Sequence, residues 1–209
     1  MHGYFITGTD TGVGKTFVAT HLVRRARAHG HRVFGFKPFE TGCEPPLGDD
    51  QRLLCEAAGD WQLGPLCGVY QLSLPAAPLV AARAANLSID VPFVMRTFEL
   101  GSASTTFSVV EGAGGWRVPI TDDLDMGGFA KLLGLPVLLV ARATLGTINH
   151  TALSIEAIRR DGCEVAAVIL SRRPDDDPTL LESNIEQIAR HGVPVLVLGS
   201  DSSVLDRFT

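Results

Sequence analysis

The chain has 209 residues, 45% of them hydrophobic and 20% charged, with a formal net charge of −5. That length suits one α/β domain with a full core, and the acidic balance argues against a broad nucleic-acid or membrane-surface footprint. Cys43, Cys55, Cys67 and Cys163 form no C-x-x-C pair and stand beside no histidine-rich spacing. Reduced thiols are therefore expected, rather than a zinc site or a disulfide framework. The opening residues carry no basic stretch, apolar segment and cleavage site, and no run is long enough to span a bilayer, so a cytoplasmic protein is expected.

An apolar run, Tyr4-Phe5-Ile6, leads into Gly8-Thr9-Asp10-Thr11-Gly12-Val13-Gly14-Lys15-Thr16, and Phe17 to Val23 then reads as an amphipathic helix. Strand, glycine-rich turn and helix start is the context of a phosphate-binding loop. Its amides and the helix N-terminus face an anion, Lys15 reaches the β/γ oxygens, and Thr16 offers a hydroxyl to Mg²⁺. The strict spacing would put the first glycine at Thr9, whereas Gly8 stands one residue earlier. Arg24, Arg25 and Arg27 read as the solvated face of the first helix.

Arg32 to Phe36 is a second strand, ending at Lys37-Pro38, and Asp49 to Gly59 has helical spacing. Residues 60–78, rich in Gly and Pro, read as irregular connection, followed by short helices near 78–86 and 90–100. Phe107 to Val110 is the third strand, with Glu111-Gly112-Ala113-Gly114-Gly115 after it. A helix near 125–133, a strand over 136–140, a helix over 147–161 and a strand over 165–170 follow. A last helix, about 178–191, leads to a strand ending at Leu198. Apolar strands alternating with helices predict a single P-loop NTPase-like α/β domain over 1–209, its mostly parallel sheet covered by helices on both faces.

Such sheets bind ligands at the carboxyl ends of their strands. Lys37 ends the second strand, where it can neutralise a transferring phosphoryl group, and Thr41-Gly42 follows as a turn with a hydroxyl. Glu111 ends the third strand, placed to hold Mg²⁺ or its water. The glycines after it either admit phosphate or make a turn with positive φ. Asp49 and Asp50 offer a second carboxylate, or else an N-cap for the following helix. The loop from Ala141 to His150 enters a helix, and its amides can receive an anion such as a carboxylate; His150 has no evident acidic or metal partner.

The phosphate loop, Lys37-Pro38, Thr41-Gly42, Val110 to Gly115 and Leu145-Gly146-Thr147-Ile148-Asn149-His150, in order between about residues 3 and 200, resemble the dethiobiotin synthetase family. The resemblance implies ATP-dependent closure of a cyclic urea on 7,8-diaminononanoate with CO₂, a step of biotin synthesis. It assigns Thr16, Asp50 and Glu111 to Mg²⁺, with Asp50 preferred to Asp49. It gives the nucleotide to Gly12, Val13, Gly14, Lys15, Thr16 and Phe17, with Gly112, Ala113 and Gly114 alongside Glu111 and Asp50. Lys37 takes the place of the active-site lysine, beside Lys15 and Thr11, and Thr41 contacts the reacting end of the substrate. The family is a homodimer, in which amides of Gly146, Thr147, Ile148 and Asn149 hold the substrate carboxylate across the interface.

Three departures bear on that resemblance. Gly12 replaces an acidic residue found in some members. Ser171-Arg172-Arg173 stands where some carry an Asn that reads adenine, so Ser171 and Arg172 occupy the base-facing positions and relaxed nucleotide choice is expected. The stretch after Leu198 is brief, which puts further base contacts in question. The alternative is a partition- or targeting-type ATPase switch. It would carry a lysine five residues before the phosphate lysine, where this chain has Asp10, and a membrane-seeking helix or basic surface, of which neither is present. An amidating ligase of the same fold would need room for a glutamine-hydrolysing domain.

Overall fold

The computed structural model describes residues 2–173 and 176–209. Six strands, β1 (Gly3–Gly8), β2 (Val33–Phe36), β5 (Phe107–Gly115), β6 (Val137–Arg142), β7 (Val165–Ser171) and β8 (Val195–Leu198), form one sheet. Their order is β2-β5-β1-β6-β7-β8, and every neighbouring pair is parallel. The helices are α1 (Lys15–Ala28), α2 (Asp49–Ala58), α3 (Pro78–Ala84), α4 (Val91–Ala103), α5 (Met126–Leu133), α6 (Thr147–Arg160) and α7 (Pro178–Ala189). Among the described residues no helix is long and apolar enough to cross a membrane.

Side-chain alternation divides the core into two layers, one on each face of the sheet. Ile6, Val109, Leu138, Val140 and Ile169 pack under Val18, Leu22 and Val23 of α1 and Leu54 of α2. Phe5, Val110, Leu139 and Leu170 face the other way, toward Phe98 of α4, Phe129 of α5 and Ile155 of α6. From β1 the chain runs one way to β2, and after β5 it crosses to the other side at β6, so the strand order reverses at β1. The crevice at the carboxyl ends of β1 and β5 is where this topology places a ligand.

Four sequence-based expectations need correction. The stretch 60–78 is not wholly irregular: it holds a 3₁₀ turn (Gly64–Leu66) and β4 (Tyr70–Leu72), which pairs in parallel with β3 (Phe39–Thr41) as a separate small sheet. Three residues of mixed polarity give no periodic signal.

Strand β5 also continues through the glycine run, where only Gly114 has a left-handed φ, of 66°. Its other glycines answer crowding rather than a turn. A Cβ at Gly112 would lie 2.9 Å from the Phe5 ring, and one at Gly115 would lie 3.3 Å from the Gly8 carbonyl oxygen.

The expectation of four reduced thiols fails for Cys55 and Cys67, which form a disulfide across 12 positions of sequence, with Cα atoms 5.5 Å apart; Cys43 and Cys163 are free. The 3₁₀ turn brings Cys67 back against α2, a tertiary contact that no short cysteine motif announces.

Finally, α1 does not spend all its arginines on solvent. Arg24 and Arg27 are exposed as expected, Arg27 also donating to the Ala57 carbonyl at the end of α2, but half-buried Arg25 pairs with Asp206 in the C-terminal 3₁₀ turn (Ser203–Phe208). That turn buries Leu205 and Phe208 against α1, so the stretch after Leu198 folds back on the body.

Candidate active site

The loop from Gly8 to Thr16 joins β1 to α1, and its backbone turns inward because Gly12 and Gly14 adopt φ of 71° and 100°. Those values favour glycine over any residue with a Cβ. Gly14 is the N-cap of α1, so the first amides of the helix open onto the crevice. Lys15 curls back over the loop and donates to the Asp10 carbonyl at 3.0 Å.

Burial first, and then the neighbouring Lys37 ammonium, push the Lys15 amine down to about 8. A bound polyphosphate reverses that shift by supplying negative charge. Nucleotide binding at pH 8.5 should therefore take up a proton, seen calorimetrically as an enthalpy that varies with the ionisation heat of the buffer. Affinity should fall as pH rises through 8, and the proton uptake should vanish below pH 7. For folding the sign is opposite. The folded-state value lies below the unfolded 10.5, so the penalty of burying charged Lys15 is complete below pH 8 and eases as pH rises toward 10.5.

Lys37, just beyond β2, is 4% exposed. Its Nζ donates to Glu111 Oε1 at 2.6 Å and to the Gly112 carbonyl at 3.4 Å, and lies 3.3 Å from Asp50 Oδ2. Burial alone would favour a neutral amine, but Glu111 and then Asp50 outweigh it, so Lys37 is held above its ordinary value as a permanent cation. Glu111 Oε1 also accepts from Thr16 Oγ1 at 2.9 Å, while its Oε2 is buried without a hydrogen-bond partner among the described residues.

A buried carboxylate oxygen left unpaired points to a missing ligand. Thr16, Asp50 and Glu111 present a hydroxyl and two carboxylates, hard oxygen donors suited to Mg²⁺. Among the described residues no three His, Cys, Asp or Glu side chains converge. A cation here would draw its other ligands from phosphate oxygens and water, which is how Mg²⁺ is usually held beside nucleotides. The residues fit the ion. Asp49 and Asp50 do not cap α2, because the N-cap is Gly48. Asp49 instead points outward, its side chain 87% exposed and paired with Arg52, while Asp50 faces the cleft.

A cleft of about 580 Å³ gathers most of the predicted residues: Thr11, Gly12, Gly14, Lys15, Thr16 and Phe17 on one side, Lys37, Thr41, Asp50 and Glu111 opposite, with Ala113 and Gly114 beside them. Others lie elsewhere. Val13 buries its side chain in the core, and Gly112 presents a carbonyl to Lys37. The Ser171 side chain packs against Gly14. Arg172 is exposed, its amide donating to the Leu198 carbonyl, and Arg173 reaches the Gly12 carbonyl at 3.3 Å.

Gly146, Thr147, Ile148 and Asn149 do not line this cleft. The Thr147 amide is spent on the Thr144 carbonyl, which leaves Ile148 and Asn149 as the open amides of the first turn of α6. The cleft also takes Phe39, Glu40, Pro75, Ala76, Ala77, Pro78 and Val118, which sequence reading passed over. The proline spacing Pro75-Ala76-Ala77-Pro78, with Pro78 starting α3, was their one local signal.

A family model described as an AAA domain matches residues 2–200. The ATP-dependent dethiobiotin synthetase BioD of Anaeromyxobacter dehalogenans strain 2CP-C is 43% identical, over 99% of this chain and 94% of the relative. The protein of the same name from Aromatoleum aromaticum is 37% identical, over 95% and 92%. A ParA family ATPase from Chlorobium tepidum superposes with a TM-score of 0.57 at 12% identity, covering 99% of this chain and 88% of the other, which shows the fold alone. The ATPase-switch alternative is thus not favoured. Relatives alike along nearly their whole length, around a phosphate loop faced by a buried lysine and two carboxylates, make this chain a member of the dethiobiotin synthetase family.

Proposed function

We propose that the chain closes a cyclic urea on 7,8-diaminononanoate with CO₂ and ATP, giving dethiobiotin, ADP and phosphate. The observation that carries this reading is the pairing of two buried lysines, Lys15 and Lys37, in one cleft with Glu111 and Asp50. An amine of the substrate adds to CO₂ and loses a proton, giving a carbamate. A carbamate oxygen attacks the γ-phosphorus and ADP leaves. The second amine then attacks the carbonyl of the mixed carbamic–phosphoric anhydride, closing the ring and expelling phosphate.

The protein contributes position and charge rather than a nucleophile. The loop amides and Lys15 hold the triphosphate, and Lys37, fixed as a cation, faces the charge that spreads during transfer. Thr16, Asp50 and Glu111 would hold Mg²⁺, which when bound supplies further neutralisation of the phosphate oxygens. Thr11 and Thr41, at the cleft wall, orient the reacting end of the diamine.

The working unit in this reading is a cytoplasmic homodimer. The open amides at the start of α6 lie outside the chain's own cleft, and Leu145 beside them is 87% exposed. Both features suit a second copy that brings its substrate carboxylate to Gly146–Asn149. Ser171 and Arg172 offer no base-reading amide, which supports relaxed use of other triphosphates.

Phosphate release from MgATP with bicarbonate tests the reaction, with and without the diamine, and with CTP and GTP in parallel. Diamine-dependent release with a ureido product by mass is expected, at rates within about tenfold across nucleotides, a difference of ~1.4 kcal/mol. Hydrolysis indifferent to the diamine would sink the synthetase reading, and strict preference for ATP would sink the relaxed base site.

A further inference from the structure

Glu40 lies in β3, 7% exposed, at the wall of the cleft. The N-cap of helix α2 is Gly48, which has no side chain with which to cap it. The Glu40 carboxylate takes that place from eight residues away. Its Oε1 accepts from the Asp50 amide at 3.1 Å and its Oε2 from the Gln51 amide at 2.8 Å. These are first-turn donors that an N-cap side chain normally satisfies, and the helix dipole favours a negative group there.

Gly48 is built for this carboxylate. Its φ of −71° and ψ of 162° suit any residue, so its own backbone does not require glycine. A Cβ there would fall 2.2 Å from Glu40 Cδ. The missing side chain is the space that the carboxylate occupies.

Gln51 continues the same clamp. Fully buried, it donates to the Lys37 and Tyr70 carbonyls, both at 3.1 Å, and accepts from the Gly48 amide at 3.2 Å and from Gln71 at 2.8 Å. Asp50 is thus held between two tied amides. The backbone of Lys37, whose ammonium meets the Asp50 carboxylate, is tied to the same glutamine.

We infer that Glu40 is a positioning residue: by capping α2 from β3 it holds Asp50 in register with Lys37 and Glu111, and so sets the affinity of the site for the Mg–nucleotide complex. The inference rests on the proposed role of Asp50 as a metal-holding residue.

The test is calorimetric titration of the intact protein with Mg²⁺ and a non-hydrolysable ATP analogue, alongside melting temperature, for Glu40→Ala, Glu40→Gln, Asp50→Asn and the double variant Glu40→Ala/Asp50→Asn. Outer-shell partners of metal ligands are typically worth about 10–100-fold in affinity. Glu40→Ala is expected to weaken binding by about that factor, Glu40→Gln by less, because one acceptor oxygen remains, and the double variant no more than Asp50→Asn alone. If Glu40→Ala does not fold, Glu40→Gln carries the test: a severalfold loss of affinity supports the inference, and unchanged affinity overturns it. A lower melting temperature with unchanged affinity in Glu40→Ala, while Asp50→Asn weakens binding, would reduce Glu40 to a structural cap. Unchanged affinity in Asp50→Asn would remove the role of Asp50 itself, a different result from the failure of Glu40 alone.

Discussion

Replacement of Lys37 by methionine is expected to lower kcat and kcat/KM for urea formation together by about 10²–10³-fold, the cost of removing one preorganised cationic donor from a reacting oxyanion. The two parameters should fall together because the ammonium acts on charge that develops during transfer. The same change should destabilise the nucleotide-free protein. Lys37 Nζ bonds Glu111 Oε1 at 2.6 Å, and Glu111 is almost wholly buried. Removing the cation leaves that carboxylate uncompensated, at about 3 kcal/mol; in a chain of this size that corresponds to ~6–12 °C in melting temperature. Mg²⁺ with ADP should restore more of the melting temperature in Lys37→Met than in the wild type, because a bound cation replaces the missing charge. A variant that melts like the wild type and gains no extra stability from Mg–ADP would show that Glu111 does not depend on Lys37.

The central residues of this cleft were legible in the sequence because they stand at strand ends. Lys15 and Thr16 follow β1, Lys37 follows β2, and Glu111 stands in β5 just past its apolar run. Each apolar run marks a buried strand, and the parallel α/β pattern sends all the carboxyl ends to one edge. The strongest strands, β6 and β7, were visible for the same reason: five successive residues in each are buried, on both faces of the sheet. What local pattern could not show is whatever depends on two distant pieces meeting. Glu40 reads as an ordinary polar residue until β3 brings it to the start of α2. Pro75–Pro78 reads as loop until it closes the far wall of the cleft. Cys55 and Cys67 meet through a turn with no motif, and Arg25 finds Asp206 across 181 positions.

The resemblance placed the residues at the base of the cleft better than its rim. The resemblance gives Ser171 a nucleotide position, yet its side chain lies against Gly14 of the phosphate loop. It acts there as a floor. Its small size is what the loop requires, and that requirement can be tested separately from any contact with the base.

Gly14→Ala is the sharpest form of that test, because two independent penalties meet at one Cβ. The residue has φ of 100°, where an L side chain is strained, and the added carbon would lie 2.4 Å from Ser171 Oγ and 2.9 Å from its Cβ. Strain of this kind is worth about 1–3 kcal/mol, and the overlap forces the loop away from β7 as well. The Michaelis constant for MgATP is expected to rise by more than about 100-fold, equivalent to ~2.7 kcal/mol. Ser171→Gly alone removes nothing that the loop donates and should stay within about threefold of wild type, ~0.7 kcal/mol. In the pair Gly14→Ala/Ser171→Gly the overlap is gone and only the backbone strain remains. That double variant should recover about half of the lost free energy and settle about tenfold above wild type, ~1.4 kcal/mol, within the range of the strain cost. Recovery to the wild-type constant would mean that the positive φ carries no cost in the bound loop. No recovery at all would mean that Ser171 is not the floor on which the phosphate loop rests.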